Sequence, residues 1–161
     1  MIAELGHFAI VLALAVSIVQ GTLPLVGAQR GIESLSAIAR PAAVMQFVLL
    51  AVAFVALTMA FIGSDFSVLN VWQNSHTDKP LLYKISGVWG NHEGSLLLWV
   101  LILGAFGFGV ATLGNNLPPS LRTRVIAIQG LIGVGFLLLL VFLSNPFERV
   151  FPVPAQGTGL N

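Results

Sequence analysis

Four runs of almost unbroken apolar residues, 8–26, 42–62, 95–113 and 125–143, decide what this chain can fold into. Each matches the roughly 20 residues that an α-helix needs to cross the ~30 Å hydrocarbon core of a bilayer. In that medium every backbone N–H and C=O must be paired inside the protein, and a helix does so within its own segment. The apolar residues come in blocks, not in one-sided stripes. Only 8% of the 161 residues are charged, against about a quarter in a soluble domain, so a water-facing surface cannot be clothed. The expected fold is all-α: a polytopic membrane protein with four transmembrane helices, one membrane domain over residues 1–161.

The first run is read as a retained span. Glu4 precedes it and no basic residue does, so the positive n-region of a signal peptide is missing. There is no cysteine, which excludes disulfides, thiolate metal sites and a thiol nucleophile. A formal net charge of +1 gives no electrostatic reason for a nucleic-acid partner. The charges that remain set an orientation. Arg30 and Arg40 lie between spans one and two, and Arg122 and Arg124 between spans three and four. The other side has Lys79, Lys84 and Arg149 spread over longer segments among the acids Glu4, Asp65, Asp78, Glu93 and Glu148. The positive-inside rule then predicts segments 27–41 and 114–124 in the cytoplasm, with both termini and segment 63–94 on the opposite, periplasmic side.

Segment 63–94 is the part that lipid explains least. Ser64 to Trp72 alternates polar and apolar residues, which predicts a short extended stretch. Asn74 to Pro80 is turn-rich, and Leu81 to Ile85 is apolar again. Trp72, Tyr83 and Trp89 suit an interfacial aromatic belt. The aromatic content favours an ordered periplasmic loop.

At the end of that loop stands the densest cluster of chemistry: Trp89-Gly90-Asn91-His92-Glu93-Gly94-Ser95, running through Leu96, Leu97 and Leu98 to Trp99. Ionisable groups are costly at a bilayer boundary and usually have a reason. In a helix starting near Trp89, residues Trp89, His92, Leu96 and Trp99 share one face. Glu93 would sit in the first turn, where the dipole favours a carboxylate. Asn91 or Ser86 would cap it, and Gly94 would let a helix or flat ligand approach closely. Two readings follow: His92 and Glu93 tie the loop to the helix end, or they form a surface facing a ligand or partner. One His with one Glu is a poor metal site, since no further ligand follows at helical spacing. A site built with His7 and His76 is the only metal alternative in this sequence, and no metal is assigned.

Gly104, Gly107 and Gly109 in span three, and Gly130, Gly133 and Gly135 in span four, are expected to be helix-packing faces. Asn115 to Ser120 reads as a turn joining antiparallel neighbours, and Ser144-Asn145-Pro146-Phe147 as a helix stop. The Pro- and Gly-containing tail to Asn161 brings no fifth span, so the sequence is expected to continue.

Several of these segments carry a resemblance. Glu4-Leu5-Gly6-His7-Phe8-Ala9, Ser64-Asp65-Phe66-Ser67-Val68, the Trp89–Trp99 motif, Gly135-Phe136-Leu137, Ser144-Asn145-Pro146-Phe147 and Gly159-Leu160-Asn161, in this order among four spans, resemble the N-terminal quarter of the CcmF family, the large haem-lyase subunit of bacterial cytochrome c maturation. A nitrite-reductase maturation paralogue shares much of the pattern. The resemblance implies a multi-pass protein of the bacterial inner membrane. Its implied activity is periplasmic transfer of haem from a chaperone to apocytochrome c, with thioethers formed to a Cys-x-x-Cys-His that belongs to the apocytochrome. Implied partners are the remainder of the lyase subunit, other cytochrome c maturation proteins, the haem chaperone and apocytochrome c. Haem is the cofactor expected of the full-length family protein; none is expected of this chain alone. The family's tryptophan-rich WWD segment and haem-ligand histidines are expected beyond Asn161, so no catalytic residue or axial ligand is carried over. Trp89, Gly90, His92, Glu93, Gly94, Ser95 and Trp99 are the motif residues expected near haem or facing a partner. The alternative is a non-catalytic four-span scaffold or assembly subunit. A transporter is the weakest reading, because mid-span polarity is limited to residues such as Gln46, Thr58 and Gln129.

Overall fold

A computed structural model describes residues 1–159; Leu160 and Asn161 of the last resembling segment lie outside the described residues. Seven helices follow one another: α1 (Ile2–Arg30), α2 (Glu33–Ala37), α3 (Ala39–Ile62), α4 (Leu69–Asn74), α5 (Leu81–Gly87), α6 (His92–Leu113) and α7 (Pro119–Phe142), with a 3₁₀ turn at Gly114–Asn116. α1, α3, α6 and α7 are long and apolar enough to cross a membrane. They contain the expected spans 8–26, 42–62 and 95–113 in full and 125–143 up to Phe142, and the fold is that of an all-α polytopic membrane protein.

The helices overrun the apolar runs for local reasons. α1 begins at Ile2 with Glu4 in its first turn and ends with Arg30 in its last, each placed to suit the helix dipole. Gly31 stops it at φ +68°, a left-handed conformation that glycine adopts without a Cβ clash, and sends its N–H to Gly27 O. α7 starts on Pro119, where a missing N–H costs nothing.

The four spans pack in a ring: α1 against α3 and α7, and α6 against the same two. α6 and α7 are neighbours, as the short connection requires. On α1 most of what faces inward is small, Ile10 and Gln20 being the larger buried residues. α1 buries Ala3, Gly6, Ala9, Ala13, Ser17, Gly21, Pro24 and Gly27, at steps of three or four, while Phe8, Ile18 and Leu23 point out. With no hydrophobic drive between helices in lipid, small residues gain stability by letting backbones approach. Gly104, Gly107, Gly130 and Gly133 do this: a Cβ on them would press on Leu50, Gln129, Gly21 and Gln46 respectively. Gly109 and Gly135 do not, since a Cβ there would meet open space. The expected glycine faces are therefore four residues and not six.

Inside the ring lies a polar network that pattern reading missed. Gln20 Nε2 donates to Gln129 Oε1 (2.6 Å), Gln129 Nε2 to Gln46 Oε1 (3.2 Å), Gln46 Nε2 to Ser17 Oγ (2.8 Å) and Ser17 Oγ to the Gly130 carbonyl (2.8 Å). Gln129 Nε2 also reaches Leu103 O (3.0 Å), so all four spans are joined. These side chains are buried. Mid-span polarity is thus wider than Gln46, Thr58 and Gln129, but it consists of neutral groups that bond one another, with Gln20 Oε1 left buried and unpaired. Thr58 takes no part and bonds back to Phe54 O (2.8 Å).

Candidate functional site: the cap layer at one end of the bundle

Two of the three gaps between spans are short, but segment 63–91 and the tail after α7 fold together over one end. The expected extended stretch from Ser64 to Trp72 is not a strand. Asp65 Oδ1 accepts from Ser67 N (3.2 Å) and from Ser67 Oγ (2.5 Å), turning the chain into α4. A single antiparallel bridge, Val68 with Arg149, is all that remains of the extended pattern. Hydrophobic alternation there marks burial under the tail: Phe66, Val68 and Val71 enter the core while Leu69 N–H bonds Glu148 O (2.8 Å). Leu81 to Ile85 is helical, part of α5. Trp72 is half-buried against the core, leaving Tyr83 and Trp89 as exposed aromatics.

The Trp89–Trp99 motif divides between two tasks. Its inward half fastens the loop to α6. Asn91 is the N-cap: Oδ1 accepts from Gly94 N (2.7 Å) and from Asn70 Nδ2 (2.9 Å), and Nδ2 donates to Gly87 O (2.8 Å) and Val88 O (3.3 Å). One amide therefore closes α6, grips α4 and ends α5. Ser86 is not a cap; its hydroxyl lies 3.4 Å from Tyr83 O. Gly94 is buried, and the group that approaches it is neither another span nor a ligand but the Val88 carbonyl of its own loop, with which a Cβ would collide. Leu97 and Val100 continue this face into the core.

The outward half is different. His92 is the first residue of α6 and exposed, with Nδ1 3.4 Å from Ser144 Oγ. Ser95 Oγ donates to His92 O (3.0 Å). Trp99 is 64% exposed and Trp89 43%. Trp89 and Gly90 precede the helix, held in a turn by Gly90 N–H to Ser86 O (3.1 Å), so Trp89 does not belong to the helical face that His92, Leu96 and Trp99 form. Glu93, half-buried, borders a small cleft with Asn70, Ser144, Asn145 and Glu148.

Five of the six resembling segments, far apart in sequence, meet here, while Gly135-Phe136-Leu137 lies within α7. His7 Nδ1 lies 3.3 Å from Asn145 Oδ1, next to the Ser144 that His92 touches. Phe147 packs where Gly6 has no side chain. Arg149 pairs with Glu4, Asp65 and the Ser67 hydroxyl, joining the first segment, the loop segment and the tail. Thr158 N–H bonds Trp72 O (2.8 Å), and Gly157 and Gly159 lie against Ser75 and Asn74. His76 sits apart, 3.5 Å from Asp78. Among the described residues, no group of three or more His, Cys, Asp or Glu is gathered closely enough to hold a metal ion. An asparagine followed three residues on by glycine was the signal for the interlock; nothing local pointed to the partner, Asn70.

A membrane-spanning four-helix ring closed at one end by an ordered layer, with a Trp- and His-bearing edge, is the class of protein these observations define. No family model matches the chain. It is 58% identical over its whole length to a cytochrome c-type biogenesis protein, ccl1, of Rhodobacter capsulatus and 52% to CcmF of Pseudomonas aeruginosa, covering 25% of each. It is 30% identical to the NrfE protein of Haemophilus influenzae, again over 25% of that protein. A solved structure of cytochrome c haem lyase CcmF superposes with a TM-score of 0.86 at 30% identity, over 92% of this chain and 25% of that one. Over its whole length the chain is similar to CcmF and related cytochrome c-type biogenesis proteins, and it spans about a quarter of the length of the relatives it matches.

Proposed function

We propose that this chain is a membrane-embedded part of a cytochrome c maturation haem lyase in the bacterial inner membrane, with its cap layer on the periplasmic side. There it would help pass haem from a chaperone to apocytochrome c. The observation that supports this best is the meeting of five of the six resembling segments in one layer, with Trp89, His92 and Trp99 left facing outward. The sidedness follows from the four arginines at the opposite end.

The described residues do not fit haem by themselves. His7, His76 and His92 each sit beside a different neighbour, Asn145, Asp78 and Ser144, and no two of them face each other across a common cavity. In this reading the chain shapes and holds a face, and ligation belongs to the rest of the lyase subunit. The partners are that remainder, the other maturation proteins, the haem chaperone and apocytochrome c.

The test is covalent cytochrome c in cells whose only copy of the intact protein carries W89A and H92A together. Loss of haem-stained cytochrome c with normal accumulation in the membrane is expected. Normal maturation would overturn the role of this edge and leave the scaffold reading, which needs only the ring and the interlock.

A further inference from the structure

The end of the bundle away from the cap layer holds a cavity of about 420 Å³, bordered by Gly27, Ser36, Arg40, Ser120, Arg122 and Thr123. We infer that it is a binding site for the phosphodiester headgroup of an anionic phospholipid. Arg40 is anchored by one nitrogen, Nε to Ala111 O (2.9 Å), and Arg122 by another, Nη1 to Asn115 Oδ1 (3.2 Å). Neither forms an ion pair among the described residues, so the rest of each guanidinium is available to an anion. Two guanidiniums beside one cavity give the forked donors that phosphate oxygens accept. The hydroxyls of Ser120 and Thr123 add neutral donors. Glu33 is the one acid at this cavity and leaves a positive balance.

Depth decides the source of the phosphate. α3 and α7 have 24 residues each, about 36 Å at 1.5 Å per residue, longer than the ~30 Å hydrocarbon core. Arg40 is the second residue of α3 and Arg122 the fourth of α7, so both lie at headgroup level. The turn of α3 that carries Arg40 also borders an apolar groove of about 340 Å³ between α1 and α3, formed by Ala15, Val16, Val19, Ile38, Pro41 and Met45. A phosphate-binding cavity next to an apolar groove suits a molecule with both parts. Basic pockets between spans take anionic headgroups in this way.

The intact protein, purified in a mild detergent and stripped of lipid, would be titrated with phosphatidylglycerol, phosphatidylcholine and inorganic phosphate, with native mass spectrometry and thermal melting as readouts. One phosphatidylglycerol per protein, a saturable rise in melting temperature and no displacement by millimolar phosphate are expected. R40Q/R122Q should weaken retention by about tenfold or more, while R124Q, a charge at the same end that does not border the cavity, should retain lipid as the wild type does. R122Q alone serves if the double variant does not fold, because the Arg40 anchor to α6 is then intact. Equal retention of phosphatidylcholine, displacement by inorganic phosphate, or unchanged retention in the arginine variants would each overturn the assignment.

Discussion

Asn91→Ala is the substitution whose cost can be worked most directly from the structure. It removes the N-cap acceptor of Gly94 N–H, a loss of about 1 kcal/mol. It also strands the amide of Asn70, which is 3% exposed and has Asn91 as the acceptor of its Nδ2; an unpaired buried donor costs about 1–3 kcal/mol. Together these give roughly 2–4 kcal/mol, confined to the junction of α4, α5 and α6. At ~1.4 kcal/mol per tenfold, local opening should become on the order of 100-fold more frequent. Hydrogen–deuterium exchange of peptides from 87–97, in the intact protein in detergent, reads this directly, because exchange follows the free energy of local opening. Asn91→Asp keeps an acceptor oxygen for Gly94 and Asn70 but loses the donors to the Gly87 and Val88 carbonyls, so it should fall between the two. Exchange within threefold of wild type in a folded Asn91→Ala protein would refute the interlock. A uniform rise across α1, α3, α6 and α7 would refute its local character.

Gly94→Ala forces a Cβ onto the Val88 carbonyl, whereas Gly135→Ala adds one to open space; the first should sharply reduce monodisperse protein on size exclusion, and the second should stay within about 0.5 kcal/mol of wild type. Gln46→Leu breaks the bonds to Ser17 and Gln129 and should cost about 1–2 kcal/mol in detergent-driven unfolding; a Gln46/Ser17 double-mutant cycle with no coupling would show that the network does not act as a unit.

The spans were legible because their signal is length and apolarity, which no tertiary context overrides. What lay hidden was the inside of the ring. In a soluble bundle, large apolar residues point inward, but α1 turns Ala, Gly and Ser inward and Phe8, Ile18 and Leu23 outward. A reader looking for a hydrophobic stripe finds apolar residues on every side. The glutamines were visible singly, yet Gln20 and Gln129 meet only because Gly21 and Gly130 let α1 and α7 come close. In the loop, alternation from Ser64 to Trp72 was real but misleading in period. It came from a turn and a short helix pressed under the tail, a contact between Leu69 and Glu148 that no local pattern encodes.

The division of the Trp89–Trp99 motif settles how its function must be tested. Asn91, Gly94 and Leu97 are committed to the fold, so a substitution there damages any protein of this shape, lyase part or scaffold alike. Loss of cytochrome c maturation in a Gly94 variant would therefore not distinguish the two readings. Trp89, His92 and Trp99 contribute little to the ring: two are solvent- or lipid-facing aromatics, and the histidine has one peripheral contact to Ser144. Their replacement should leave exchange at 87–97 and detergent unfolding close to wild type, within about 0.5 kcal/mol. A variant that is normal by both measures and fails in maturation assigns the outward edge to function. One that unfolds places His92 with Asn91 as part of the fastening, and the edge then has no separate role.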